Sequence, residues 1–440
     1  MKNNAKYLKR IAFVIVFIVL LWAVNGIARF LVVDDTKSYT RVTLEEMYEQ
    51  KEIDVLFLGS SHCYRAINPA VLDDIWEMNT FNLGSSSQRT DGSYYLLKEA
   101  GKSREIKKVY MEVFCDVVGQ NESYQSPNAM YIISDYMKPS FNRMEYLWKS
   151  GGKDYLVHGL VLSRRNWENL FDPIYIKDIL RKKINRDYLN YEYVANEDEH
   201  YAGKGFVYSQ KAAESDFLSS ASHFAPISEE AISVKSQEYL DKIISYCQSR
   251  GIEIVFYSAP MPDFRLIDIG NYDSYIMQMK DFLKGKNVTY YDFNLCRPEF
   301  LDLDGTDFQD DQHLNGKGAN AFTAAFAGVM SEKDPEKAFY DSYEQKLKES
   351  PAKAYGLICE CTETAGDVST YTITPIVNKV DKIYYAISKR AENDADYHML
   401  RNYEENRYFT LPANENGYIY VYMTLEKEGK TPVHEAKFNY

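Results

Sequence analysis

The distribution of apolar residues divides the chain into three regimes. Near the start, Ile11 to Val24 is an uninterrupted apolar run behind Lys2, Lys6, Lys9 and Arg10, and mixed apolar residues continue to Val33. From there to about residue 330, short β-favouring runs alternate with helical periods. Beyond Pro351 the period becomes two: in Tyr418 to Leu425, Ile419, Val421, Met423 and Leu425 point one way, and Tyr418, Tyr420, Tyr422 and Thr424 the other.

In the middle regime, Val55-Leu56-Phe57-Leu58 runs without a polar break into Gly59-Ser60-Ser61, and a helix-compatible segment starts at Pro69. That pattern predicts a buried strand, a sharp turn and a helix. Met78 to Leu83 is a second strand ending at Gly84, before Ser85, Ser86, Ser87 and Gln88; helix Gly92 to Ala100 leads to a third strand, Lys107 to Phe114. Ser233 to Arg250 is an amphipathic helix stopped at Gly251, and Ile252 to Tyr257 is a fourth strand. Tyr275 to Leu283 is a helix with Ser274 or Asp273 as N-cap, Val288 to Phe293 a fifth strand, and Lys317 to Met330 a final helix. The alternation predicts a three-layer α/β domain over residues 34–330 with a parallel five-stranded sheet.

Between about residues 118 and 227 this rhythm stops, leaving helix-like runs at Ala129 to Tyr136, Arg143 to Lys149 and Pro173 to Ile184. An insertion of this length reads as a lid or wall over the catalytic edge, or as a solvated helical bulge. Residues 331–351 read as a linker helix, and residues 352–440 as a separate β-sandwich with strands at Val368 to Val377 and Lys382 to Ser388. The tyrosine row of its last marked strand is a candidate glycan-stacking surface or simply an outer strand face. Residues 1–33 read as an N-terminal membrane anchor, with the basic flank cytoplasmic and the rest of the chain outside the membrane. Gly26-Ile27-Ala28 is a weak cleavage site, so a signal peptide is the competing reading.

Composition narrows the function classes. With 45% apolar and 26% charged residues the 440-residue chain is an ordinary folded protein. Its formal charge of −13, with no basic cluster outside the N-terminus, argues against a nucleic-acid partner. The six cysteines, Cys63, Cys115, Cys247, Cys296, Cys359 and Cys361, show no CxxC spacing and no neighbouring histidine pairs. They imply neither a zinc site nor a disulfide framework, and no metal or cofactor is expected.

In an open parallel sheet, ligands bind outside the carboxyl ends of the strands, which makes Ser61 the candidate nucleophile. A serine hydroxyl needs a base, and His313 in Asp310-Asp311-Gln312-His313 supplies one. Three residues apart in a tight turn, Asp310 can orient His313 while the other ring nitrogen faces Ser61; Asp311 competes for that role. The two Gly-Ser loops lie on one sheet edge, so the N–H groups of Ser61 and Gly84 are candidate oxyanion donors.

These blocks resemble those of the SGNH/GDSL hydrolase superfamily. Gly59-Ser60-Ser61-His62 and the run His313 to Ala319 are most similar to its membrane-anchored branch, which includes DltD-type proteins and alginate O-acetyltransferase relatives. The similarity spans Ile53 to Met330, with the large insertion. One departure is that the third strand, Val109-Tyr110-Met111-Glu112-Val113, lacks the asparagine of the family's GxND block, leaving Asn82 and Gln88 as candidate substitutes. His62, directly after the nucleophile, reads as a turn-stabilising or substrate-facing residue. The resemblance implies an extracytoplasmic serine-dependent O-acyltransferase, moving an acetyl or D-alanyl group onto a cell-envelope or secreted polysaccharide, with a membrane-bound O-acyltransferase as partner. The alternatives are a carbohydrate esterase of the same fold and a non-catalytic anchored glycan-binding or assembly protein.

Overall fold

The computed structural model describes residues 2–119, 127–161, 167–192, 198–213, 215–392, 394–426 and 434–440. Its central sheet consists of β1 (Val55–Leu58), β2 (Thr80–Asn82), β3 (Lys108–Glu112), β4 (Glu253–Ser258) and β5 (Thr289–Asp292), all parallel, in the order β2-β1-β3-β4-β5. Side chains alternate cleanly between two cores. Leu56, Leu58, Val109, Met111, Ile254 and Phe256 enter one. Val55, Phe57, Tyr110, Val255 and Tyr257 enter the other. Helices Thr90–Ala100, Val234–Ser249 and Tyr272–Leu283 cover the first face through Leu96, Leu240 and Ile276, and Pro69–Trp76 and Gly316–Ser331 the second through Leu72 and Phe326. Burial on both faces is why these strands read as continuous apolar runs. The strand order reverses between β1 and β3, and such switch points open a crevice at the carboxyl ends of the strands.

Several boundaries differ from the sequence reading. The helix expected from Tyr275 begins at Tyr272, and neither Ser274 nor Asp273 caps it. The Asp273 carboxylate instead accepts from the N–H groups of Tyr343 and Glu344, at 2.7 and 3.0 Å. Residues 331–351 are not one helix but a 3-10 turn, Pro335–Ala338, and a helix, Tyr343–Glu349.

The C-terminal region holds two four-stranded sheets that share one core, with Leu357 and Ile373 from one sheet meeting Ile387, Val421 and Phe438 from the other. It is not confined to residues 352–440. Leu218–Ser220, from the insertion, pairs parallel to Lys353–Ala365 with Leu218 opposite Gly356. The tyrosine row is largely engaged: Tyr420 is buried against Tyr397, and Lys437 and Arg390 lie over the Tyr418 ring at 3.9 and 5.1 Å.

The insertion divides into parts. Met130, Ile133 and Leu147 join the main core. The hairpin Glu199–Gly203 with Phe206–Ser209 crosses the end of β2, where Asn82 N–H donates to Lys204 O at 3.0 Å. Helices between residues 141 and 191 pack against the end of the first helix, Lys2–Val32. That first helix contains a 24-residue segment, Lys9–Val32, long and apolar enough to span a membrane.

Candidate active site

The turn that carries the candidate nucleophile, Ser61, is built by three neighbours. Gly59 sits so close to β3 that a Cβ there would lie 2.5 Å from Glu112, so only glycine fits. Ser60 then N-caps the short helix Ser61–Tyr64, its Oγ accepting from His62 N–H at 3.2 Å. Glu112, buried at the end of β3, holds Ser60 through both its N–H (2.7 Å) and its hydroxyl (2.9 Å). Burial raises the Glu112 carboxyl to about 7, against the opposing pull of the two Ser60 hydrogen bonds. Its Oε1 has no hydrogen-bond partner among the described residues.

The candidate base, His313, is positioned by the loop that follows β5. Phe308 bridges Leu314, and Gln309 N–H donates to His313 O at 2.9 Å, closing a tight hairpin with His313 at its rim. Asn315 fixes the exit. Its Oδ1 accepts from Gly318 N–H at 3.0 Å and its Nδ2 donates to Thr306 O at 2.7 Å. Gly318 is needed because a Cβ would come 2.2 Å from Asp307 O. The His313 to Ala319 motif therefore contributes one chemical group, His313, and a scaffold that aims it.

These two constructions meet. His313 Nε2 lies 2.8 Å from Ser61 Oγ, across 252 positions of sequence. On the other side, His313 Nδ1 faces both oxygens of Asp310, at 3.0 and 2.9 Å. Burial pushes the Asp310 carboxyl up, but the hydrogen bonds and charge of His313 outweigh it and hold the group well below the usual carboxylate range. The N–H groups of Gln312 and His313 also donate to Asp310 Oδ1, at 3.0 and 2.7 Å. Asp310, not Asp311, is thus the carboxylate against the imidazole. Asp311 titrates higher than usual, through burial and the neighbouring Asp310, with Arg265 and His313 pulling it down.

The other sequence candidates divide differently. Ser61 begins its helix, and no protein group among the described residues accepts from its N–H, as expected for the first turn. Gly84 lies against the Ser61 turn, but its N–H is engaged, donating to Asn82 Oδ1 at 2.9 Å. Asn82 is consumed by the fold: its Nδ2 donates to Cys63 O and Ile67 O, at 2.9 and 3.1 Å, and its Oδ1 also takes Cys63 Sγ. Gln88 is buried between Ser85 and Ser93, at 2.8 and 3.0 Å. Neither Asn82 nor Gln88 replaces the missing asparagine. His62 is buried, its ring centroid 3.8 Å from Phe114 and 4.8 Å from His313. Burial, then the charges of His313 and Arg265, hold its pKa well below the ordinary histidine value, which makes it a weak proton acceptor, and the imidazole at the Ser61 hydroxyl is that of His313.

Three contributors were missed. Glu112 was legible only as an acid in an otherwise apolar strand. Arg65 joins the two halves of the site, donating to Gln309 Oε1 at 3.0 Å and Glu199 Oε2 at 2.7 Å, while Gln309 donates to Asp310 Oδ2 at 3.1 Å. Arg265, paired with Asp116 at 2.7 Å, places a charge beside His62 and Asp311. No motif in the sequence around either arginine sets it apart. Among the described residues, no group of three or more His, Cys, Asp or Glu side chains is arranged to hold a metal ion.

A 600 Å³ cavity lies beside the nucleophile helix, lined by Tyr64, Gly84, Ser85 and Ser86 and, opposite, by Tyr39 and Tyr131. It reaches Asp34 and Asp35, just beyond the end of the first helix. No protein-family model matches the chain, and no curated protein matches it.

Proposed function

We propose that this chain is a serine-dependent O-acyltransferase of SGNH type, anchored by Lys9–Val32 with its catalytic domain outside the cytoplasm, that acylates a cell-envelope or secreted polysaccharide. The observation that carries the reading is the chain of contacts Asp310–His313–Ser61. A serine hydroxyl hydrogen-bonded to an imidazole whose far nitrogen faces a carboxylate is an arrangement that activates serine for acyl transfer.

In this reading Ser61 Oγ attacks the donor's acyl carbonyl while His313 Nε2 takes the hydroxyl proton. Asp310 holds the ring and stabilises the imidazolium. The Ser61 N–H donates to the developing oxyanion, an interaction worth roughly a hundredfold or more in rate. Collapse expels the donor's alcohol, which receives the proton from His313, and leaves the acyl group as an ester on Ser61. An acceptor hydroxyl then attacks that ester, passes its proton to His313, and departs acylated as Ser61 regains its own.

Transfer is favoured over hydrolysis by the position of the cavity. It runs from Ser85 and Ser86 to Asp34 and Asp35, just beyond the apolar helix, and in this reading a membrane-bound acyltransferase delivers the acyl group there. The test incubates the full-length protein in detergent with an acetyl ester and a polysaccharide acceptor. Acetylated glycan is the expected product, and ester consumption without glycan labelling refutes transfer in favour of an esterase.

A further inference from the structure

Outside the first helix, large apolar side chains are exposed most densely on one stretch of the insertion. Phe141 and Phe171 are 77% exposed, Ile174 81% and Ile184 65%, and Trp148 and Leu189 are also more than half exposed. Single exposed apolar residues are ordinary, whereas a concentration of them marks a contact surface.

The hydrogen bonds of this stretch say what covers it. Asn169 Nδ2 and Tyr175 Oη donate to Val32 O, at 3.3 and 3.0 Å. Buried Lys183 pairs with Asp35 at 2.8 Å, and the Tyr188 ring packs edge-on against Phe30. Further back along the same helix, Asn25 Nδ2 donates to Leu160 O at 2.9 Å. A 750 Å³ cavity has Trp22 and Gly26 on one wall and Met144, Leu160 and Leu189 on the other.

Helical rise converts these contacts into depth. At 1.5 Å per residue, Asn25 lies about 10 Å and Trp22 about 15 Å back from Val32. The segment Lys9–Val32 is about 36 Å long by the same rise, against a hydrocarbon layer of about 30 Å. Trp22 is near the middle of that segment, so no sliding of the helix along the membrane normal lifts the facing residues clear of the bilayer.

We propose that the helices between residues 141 and 191 are seated in the outer leaflet of the lipid bilayer, as a collar around the spanning helix. Their exposed apolar side chains enter the boundary between headgroups and acyl chains, and Lys177, Arg181 and Lys182 lie on the same helix as Ile174. The collar fixes the height of Ser61 above the membrane and suits the enzyme to an acyl donor held at that surface. This inference rests on the reading of Lys9–Val32 as a membrane span.

The test uses the full-length protein in phosphatidylcholine–phosphatidylglycerol nanodiscs, in a Cys361→Ser background because Cys361 is the exposed cysteine. A fluorophore is attached at Phe171→Cys, Ile174→Cys or Ile184→Cys, at Phe17→Cys within the apolar helix, and at Met277→Cys, which is 60% exposed elsewhere. Ile174 and Ile184 are exposed, so their substitution leaves the packing intact. Replacing part of the lipid by spin-labelled phosphatidylcholine is expected to quench the collar labels and the Phe17 label but not the Met277 label. Quenching at Phe17 with none at the collar overturns the collar and leaves the span standing. No quenching at any site overturns both. Collar labels that spin-labelled lipid does not quench in nanodiscs, but that native membranes shield from a water-soluble quencher, assign the face to a membrane protein and also overturn the proposal. The readout does not involve acyl transfer, so it is independent of the chemistry at Ser61.

Discussion

Glu112 Oε2 accepts both the N–H and the hydroxyl of Ser60, so a buried carboxylate at the end of β3 holds the residue next to the nucleophile. Its carboxyl, raised from 4.5 to about 7, binds a proton more tightly in the folded protein than in the unfolded chain. The resulting stabilisation is complete below the unfolded value and is lost as pH rises through the folded one. Ionising the group in the fold therefore costs on the order of 3 kcal/mol by pH 8. Glu112→Gln keeps an oxygen for Ser60 and removes the titration. Urea melts should show the stability difference between variant and wild type shifting in the variant's favour between pH 5 and pH 8; a pH-independent difference contradicts this.

Asp310 and Asp311 are adjacent, but only Asp310 reaches the imidazole. Asp310→Asn presents an amide where a carboxylate must stabilise the imidazolium, and kcat should fall by roughly 10³–10⁴-fold. Asp311→Asn leaves that contact intact and should change kcat far less. Steady-state kinetics on an acetyl ester separates the two, and equal losses would contradict the assignment.

Much of this was legible in the sequence. Val55 to Ser61 announced a buried strand and a sharp turn because four apolar residues in succession suit a strand covered on both faces, and Asp310-x-x-His313 is short enough to be read as a unit. What escaped depends on distant neighbours. Asn82 looked available to substrate until its four hydrogen bonds were seen, two of them to carbonyls of the nucleophile segment. Leu218–Ser220 is too short to show a period, so its pairing with Gly356 left no trace. Arg65 bridges Glu199 and Gln309, which are 134 and 244 residues away. The exposure of Phe171 and Ile174 likewise appears only once the fold is seen.

Gly84 packs against the nucleophile turn: a Cβ there would lie 2.9 Å from Tyr64 N and 3.0 Å from Ser60 O, both backbone atoms. Gly84→Ala should therefore cost roughly 1–3 kcal/mol and slow chemistry at Ser61. Gly328, within the helix Gly316–Ser331, has open space where a Cβ would go. Gly328→Ala should be stabilising by roughly 0.5–1 kcal/mol and leave activity unchanged. Thermal melts of the two variants test the contrast.

The most direct measurement is the site and rate of covalent labelling by a fluorophosphonate, followed by intact mass and peptide mapping. A hydroxyl activated by an imidazole at 2.8 Å predicts a single adduct on Ser61, no adduct in Ser61→Ala, and a rate in His313→Ala lower by roughly a thousandfold or more. An adduct on another residue, or an undiminished rate at Ser61 without the His313 side chain, would contradict the account.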